Sequence, residues 1–279
     1  MTKVLKYNDK VALYGADVTI SNAPDFELET TALLARMTSK PSRLLQSLIN
    51  TTILSLKTSG VWSKGDCMYF RGVHATQAST LNWIKDAHNT TYINNPIFTP
   101  KVGIINTSGS YATINYNLFT DADKWTLNSA TYYFRFINFW TTRQYMMGIR
   151  DVANNIYNYL YHDYFAKKDR GYINNVSTPY NTQLYLSPNR NGGWVRNGDY
   201  VQAYDQGSPK GINVATPVTS GFADGAMGEL SINDIGNVNV RAAYSGVAFS
   251  FYGAGLTADE ISALNTTVNY FYDNVGGTF

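Results

Sequence analysis

Cys67 is the single cysteine among 279 residues. One thiol can form neither an intramolecular disulfide nor a cysteine-built zinc cluster, and it is expected as a small buried hydrophobe. Charge is scarce too. Asp, Glu, Lys and Arg make up 15% of the chain, against roughly 25% in an average soluble domain, and 22 basic side chains nearly cancel 20 acidic ones. A protein that neutralises a row of phosphates carries a clustered excess of Lys and Arg, so no nucleic-acid partner is expected. Long apolar runs are missing as well. No window approaches the roughly 18 apolar residues of a membrane span, and Met1 to Ile20 alternates charges with short apolar pairs where a secretion signal would be continuous. Neither membrane insertion nor export by a signal sequence is expected.

Catalytic motifs are equally thin. Glycoside hydrolysis uses two carboxylates across the scissile bond, and the chain has four glutamates: Glu27, Glu29 and Glu260 in helical patterns, and Glu229 in Glu-Leu-Ser-Ile with no acidic neighbour two or four residues on. His74, His88 and His162 lack the spacing of paired zinc ligands. There is no Gly-x-Ser-x-Gly elbow and no phosphate-cradling Gly-Lys-Ser/Thr loop. Gly253-Ala254-Gly255 reads as a tight strand-to-helix turn. No cofactor is expected; calcium is the one candidate, on Asp121 and Asp123 or on Asp199 and Asp205, which flank a predicted strand.

The space left by charge is filled by Asn, Thr, Ser and 22 Tyr, with aromatics at 14%. Aromatic and β-branched residues fit pleated, half-buried faces, and Asn and Gly suit left-handed turns, so the chain is expected to be mainly β. Short segments fit strands at Cys67–Val73, Tyr92–Phe98, Tyr111–Leu118, Ser129–Trp140, Met146–Arg150, Tyr157–Tyr164, Gln183–Leu186, Gly193–Arg196, Tyr200–Tyr204, Gly228–Ile232 and Arg241–Phe251. Tyr132 to Trp140 is aromatic on both faces and is expected to be covered on both. Strands at this spacing imply a two-sheet antiparallel sandwich or a barrel.

Helical signals sit at the two ends of the chain. Residues 1–24 read as an N-terminal β arm with two short strands around Asn8-Asp9. Residues 25–60 read as a helical segment: Asp25 as cap of a helix to about Met37, then a helix that starts around Ser39 and Pro41 and stops at Gly60. Leu45, Leu48, Ile49, Thr52, Ile53 and Leu56 share one face of it, which needs a partner surface. Residues 61–279 form the sandwich, closed by a helix over 258–274. Thr257-Ala258-Asp259-Glu260 is a capping box there, Leu256 and Ile261 are placed as a hydrophobic staple, and Ile261, Leu264, Val268, Phe271 and Val275 form the stripe. Asn82, polar between Leu81 and Trp83, is expected to be buried and bonded to loop backbone.

Recognition is the remaining chemistry. Trp140, Tyr145 and Trp194, with Asn189 and Asn191 of the loop Ser187 to Gly193, combine flat aromatic faces with amide donors, a combination that binds sugars. These five residues are the candidate ligand set.

Several strings resemble a recurrent set of bacteriophage proteins with a concanavalin A-like (laminin G-like) jelly roll. They are Leu33-Leu34-Ala35-Arg36-Met37-Thr38, the run Leu54 to Trp62, then Asp66, His74-Ala75-Thr76-Gln77-Ala78 and Leu81-Asn82-Trp83, in the same order. Asn94 to Pro100, Ser108 to Asn115 and Gly253 to Glu260 continue the likeness, which covers about residues 30 to 118 and 241 to 275. The resemblance implies a non-enzymatic virion structural protein, in a tail fibre, a tail tip or a capsid decoration. Such a protein would be made in the host cytoplasm, would partner other virion subunits as a homo-oligomer, and could bind host surface glycan. The alternatives are a glycan-degrading enzyme on the same fold and a cellular lectin or adhesin. The arm, unmatched in the resemblance, is the candidate attachment segment by strand pairing.

Overall fold

The first described elements are two short strands, β1 (Val4–Tyr7) and β2 (Lys10–Leu13), paired antiparallel with Val4 opposite Leu13. The computed structural model describes residues 4–7, 10–13, 26–107, 109–138, 144–151, 153–154, 156–163, 168–175, 189–215, 221–229, 231–235, 241–242 and 246–276. After the hairpin come α1 (Leu28–Ala35), α2 (Arg43–Thr58), β3 (Gly65–Phe70) and α3 (Thr76–Thr80). The strands then follow: β4 (Thr90–Ile93), β5 (Ile97–Thr99), β6 (Gly103–Ile105), β7 (Tyr111–Asn117), β8 (Ser129–Asn138), β9 (Gln144–Asp151), β10 (Ile156–Asp163) and β11 (Lys168–Asn175). The last are β12 (Asn191–Asn197), β13 (Tyr200–Asp205), β14 (Ser208–Ala215), β15 (Ala226–Glu229), β16 (Ser231–Ile235), β17 (Arg241–Ala242) and β18 (Gly246–Gly253), before α4 (Ala258–Val275).

Two sheets carry the domain. The first runs β14-β13-β12-β8-β18-β6-β5 with β3 also on β18, and the second runs β11-β10-β9-β15-β7-β4 with β16 on β9 and β17 on β16. The described pairs are antiparallel except β16 on β9, which is parallel. The protein is therefore mainly β, a two-sheet antiparallel sandwich with helices from both ends of the chain. Period-two alternation sorts the side chains into two cores. In β3, Cys67 and Tyr69 enter the core between the sheets, while Met68 and Phe70 enter a second core under the helices. The aromatic run of β8 divides the same way, with Tyr132, Phe134 and Phe136 between the sheets and Tyr133 under the helices, which is why both of its faces are apolar.

The helix stripes are buried as their spacing predicts. Leu45, Leu48, Ile49, Ile53 and Leu56 of α2 and Ile261, Leu264, Val268 and Phe271 of α4 share the helical core with Phe249 and Phe251 of β18. Thr257 accepts from Glu260 N at 3.3 Å and Glu260 accepts from Thr257 N at 2.7 Å, completing the capping box. Lys64 adds an ion pair to Glu260 at 2.7 Å. Gly253 and Gly255 are required by close approach. A Cβ on Gly253 would lie 2.1 Å from the Lys64 carbonyl, and one on Gly255 would lie 2.1 Å from Asn197 Oδ1. Leu264→Ala should lower unfolding free energy by about 2 to 5 kcal/mol in guanidinium titration; a cost near zero would mean that α4 is not load-sharing with the sheet.

Several boundaries differ from the sequence reading. The cap of α1 is Glu27, without a side-chain bond, and Asp25 lies outside the described residues. The cap of α2 is Ser42, whose hydroxyl accepts from Leu45 N, so the start falls after Pro41. Tyr92–Phe98 is two strands, as are Gly228–Ile232 and Arg241–Phe251, because each contains a turn or a change of partner. Gln183–Leu186 lies outside the described residues. β6, β11 and β14 were not expected. β11 and β14 end the two sheets, and edge positions tolerate the charges of Lys-Asp-Arg and the Pro-Lys-Gly that make these segments read as loops.

Candidate functional site

The structure separates the residues expected to form a ligand site. Asn191 and Trp194 both lie in β12 but on opposite faces, since three residues along a strand reverses direction. Trp194 is 0% exposed, with its ring 5.7 Å from that of Tyr132 in the core between the sheets. Gly171 of β11 presses on it so closely that a Cβ there would fall 2.6 Å from the indole. Its faces are thus occupied by protein, which corrects the expectation of a stacking platform. Asn191, also 0% exposed, donates to Asn265 Oδ1 at 2.8 Å and Asn269 Oδ1 at 2.9 Å, and accepts from Arg135 at 3.2 Å. It fastens α4 to the sheet. Asn189 is exposed in a turn with φ of 60° and donates its backbone N–H to the Phe136 carbonyl at 2.8 Å. The backbone of Tyr145 stands in β9 opposite Tyr161; its side chain, like all of Trp140, lies outside the described part.

The titratable residues singled out in the sequence are mostly engaged inside the protein. His74 Nε2 donates to the Ser39 carbonyl at 2.6 Å. Asn82 accepts from Met68 N and Ile84 N and donates to the carbonyls of Asp66 and Ala87, so its amide is fully used, as expected. Burial pushes the Cys67 thiol up to about 12, which leaves it protonated and unreactive. Asp121 accepts from Asn117 N at 2.9 Å and from Thr120 at 2.8 Å; partial burial would raise its pKa, but these bonds and nearby His88 hold it below the usual carboxylate value. Asp205 faces Arg190 at 3.3 Å, and Asp199 is exposed in the β12–β13 turn. Among the described residues no three His, Cys, Asp or Glu side chains converge on one position.

Two buried acids tie the sheets together. Asp66 of β3 accepts from Trp125 N at 2.8 Å, Lys124 N at 3.0 Å and the hydroxyl of Tyr116 in β7 at 2.9 Å. Glu229, at the end of β15, pairs with Arg71, which follows β3, and accepts from Ser250 of β18 at 2.6 Å. Arg71 also donates to the Ser79 carbonyl at 2.6 Å and lies 4.3 Å over the Tyr69 ring. Burial would depress the Arg71 pKa, but Glu229 and the surrounding tyrosines hold it above the ordinary value. Burial raises Tyr69 and Tyr252 well above the usual tyrosine value, so both remain neutral.

Just beyond Glu229 the chain reverses and creates relief on the outer face of the second sheet, the face turned away from the helices. Gly228 pairs with Thr113 on one side and Gly148 on the other. Ser231 lies directly over Gly228, because a Cβ there would meet its Oγ at 2.5 Å. Ile232 continues over the stacked rings of Tyr159 and Tyr172, 4.2 Å apart, and covers them. β16 is thus a wall on an otherwise flat face. Between it and β4–β7 lies a depression of about 200 Å³ lined by Ile93, Tyr111, Thr113, Ala226, Gly228, Ser231 and Asn233. The Asn233 amide is aligned by donation to the Ala226 carbonyl at 2.8 Å. Among the described residues lining this hollow there is no carboxylate and no cation. Its hydroxyl, amide and aromatic groups can exchange hydrogen bonds with an uncharged polar ligand and cover an apolar patch of it. The sequence did carry a signal for this face: Tyr111, Thr113, Asn115 and Asn117 alternate with Ala112, Ile114, Tyr116 and Leu118.

No family model matches the sequence, and no curated protein is similar to it. Among solved structures, the chain is similar to a Trypanosoma rangeli sialidase mutant with trans-sialidase activity, at TM-score 0.49 and 10% identity over 81% of this chain and 39% of that one. It is also similar to domain 4 of a GH43 extracellular arabinanase from Geobacillus stearothermophilus, bound to arabinotriose, at TM-score 0.43 and 12% identity over 72% of this chain and 98% of that one. A third is the binding domain of botulinum neurotoxin serotype D, at TM-score 0.47 and 11% identity over 75% of this chain and 52% of that one. The chain therefore spans well under two thirds of the sialidase and of the toxin domain. The likeness is one of architecture alone, that of a β-sandwich.

Proposed function

We propose that this protein is a non-enzymatic, lectin-like virion component whose depression on the outer face of the second sheet takes an uncharged glycan. One observation carries the binding reading: a hollow walled by β16 and lined by Tyr111, Thr113, Ser231 and Asn233, with no ionisable group other than the tyrosine among the described lining residues. The same lining argues against glycoside hydrolysis there by the paired-carboxylate route. The ion-paired Glu229 is 1% exposed and held by Arg71 and Ser250, which keeps it from a ligand. A glycan array that includes neutral, sialylated and sulfated chains tests the reading. Neutral glycans should bind, and Tyr111→Ala and Asn233→Ala should each weaken binding about tenfold without moving the melting temperature. An array with no neutral hits, or variants that bind like the parent, would overturn it.

The virion assignment rests on the phage-like strings between Leu33 and Asn115 and from Gly253 to Glu260. Attachment is assigned to the N-terminal hairpin. An isolated pair of four-residue strands is marginal in water and gains stability by pairing with a further strand, here that of a neighbouring subunit. Deleting residues 1–20 should leave a folded domain that no longer enters particles, measured by copy number in purified virions. Normal incorporation of the truncated chain would move the anchor elsewhere.

A further inference from the structure

On the helical side of the molecule α2 and α4 lie side by side and run antiparallel. Ser55 hydrogen-bonds Thr267 at 2.8 Å, and farther along a Cβ on Gly60 would lie 3.4 Å from Glu260 Oε1. Their outward face is uncharged: no Asp, Glu, Lys or Arg falls between Arg43 and Lys57 in α2, or between Glu260 and Asp273 in α4. Leu44, Ser47, Thr51 and Leu54 of α2 and Ser262, Thr266 and Tyr270 of α4 are exposed there, Leu44 at 64% and Leu54 and Tyr270 at 47% each. A groove of about 280 Å³ follows the seam between the helices, lined by Thr51, Ser55, Thr266, Thr267 and Tyr270. The outer face of a solvated helix normally carries charge, whereas the centre of a protein interface is depleted of charge and enriched in Tyr. The charges of this face stand at its ends. Lys57 is held by Glu27 and Glu29, and Glu260 by Lys64. Arg43 and Asp273 are exposed at the same end of the antiparallel pair, and neither forms an ion pair with a described residue. Arg43 leans toward α1, with its guanidinium 6.0 Å over the Phe26 ring, and Asp273, six residues on from the seam residue Thr267, is turned away from α2.

We infer that this face pairs with the same face of a second copy of the chain, about a two-fold axis parallel to the helices. Charge complementarity selects both the partner and the axis. This operator lays α2 of each copy on α4 of the other, and it brings Arg43 to the partner's Asp273 twice, both side chains lying on the outer flank of their helices. The other face-to-face two-fold, perpendicular to the helices, would lay α4 on α4 and carry Asp273 toward the partner's Asp259, a like-charge contact. With the favoured axis the partner's Tyr270 lies over α2 at Thr51, because Thr51 and Tyr270 stand at one level of the pair and share the groove. The short hydroxyl side chains along the seam let the helices approach closely enough for that ring to enter. The inference is independent of glycan binding, since the depression opens on the far side of the sandwich and stays free in both copies.

The test is sedimentation equilibrium of the full chain over a range of concentrations. A monomer–dimer equilibrium with a Kd on the order of micromolar is the expected result for a face of two helices. Thr51→Glu, which sets a charge in the groove on an exposed position, should leave a monomer with an unchanged circular dichroism spectrum. Arg43→Glu and Asp273→Arg should each weaken the dimer about tenfold, and the double variant, which restores opposite charges across the axis, should recover the parent Kd. A full chain that is monomeric at every concentration would give the face to the N-terminal arm or to a different protein and overturn the pairing. A dimer that Thr51→Glu leaves intact would place the contact elsewhere and overturn it too. A double variant no stronger than the weaker single one would overturn the axis, and with it the inference.

Discussion

Replacing Arg71 with Met should cost the fold about 3 to 5 kcal/mol, because it leaves Glu229 as an unpaired charge between the sheets. Both partners are buried, at 0% and 1% exposure, and the other described contact of the carboxylate is the Ser250 hydroxyl, which carries no charge. The double variant Arg71→Met with Glu229→Gln should recover most of that loss, since a neutral amide can keep the Ser250 bond without an uncompensated charge. Denaturant unfolding of the three proteins decides the matter. A single variant within about 0.5 kcal/mol of the parent, the range of an ordinary surface change, would show that the ion pair does not clamp the sheets.

Gly228→Ala should remove glycan binding altogether while the protein stays folded. The new methyl would sit 2.5 Å from Ser231 Oγ and 2.9 Å from the Ser231 carbonyl. A side-chain rotation can relieve the first contact but not the second, so β16 must lift from the face. Overpacking of this kind costs about 1 to 3 kcal/mol, and the lifted wall takes Ser231 and Asn233 out of the depression. Titration with a neutral glycan selected on the array, beside a thermal melt, separates the two effects. Full affinity in Gly228→Ala would mean that β16 is not part of the site.

Features set by neighbours in the chain were legible in the sequence. The capping box at Thr257 and Glu260 and the stripes of α2 and α4 are local patterns whose physical cause lies within a few residues. The doubly apolar β8 was legible because covering both faces of one strand needs only a look at its alternation. Edge strands were not, since their charges and prolines are tolerated where no described strand pairs on one side, and which strand ends a sheet is a property of the whole topology.

The candidate ligand site shows the same division. By itself the sequence determined a weakly charged, hydroxyl- and amide-rich β protein without the paired carboxylates of a glycosidase. It could not determine which aromatics face outward. Trp194 and Asn191 look equivalent in a polar, Gly-bearing loop, yet the sandwich buries one between the sheets and the other under α4. The hollow at Tyr111, Thr113, Ser231 and Asn233 joins residues more than a hundred positions apart. Only the tertiary structure decided it, because the wall exists where β16 folds back over a glycine, and that contact depends on the register of β15 between β7 and β9 rather than on any local pattern.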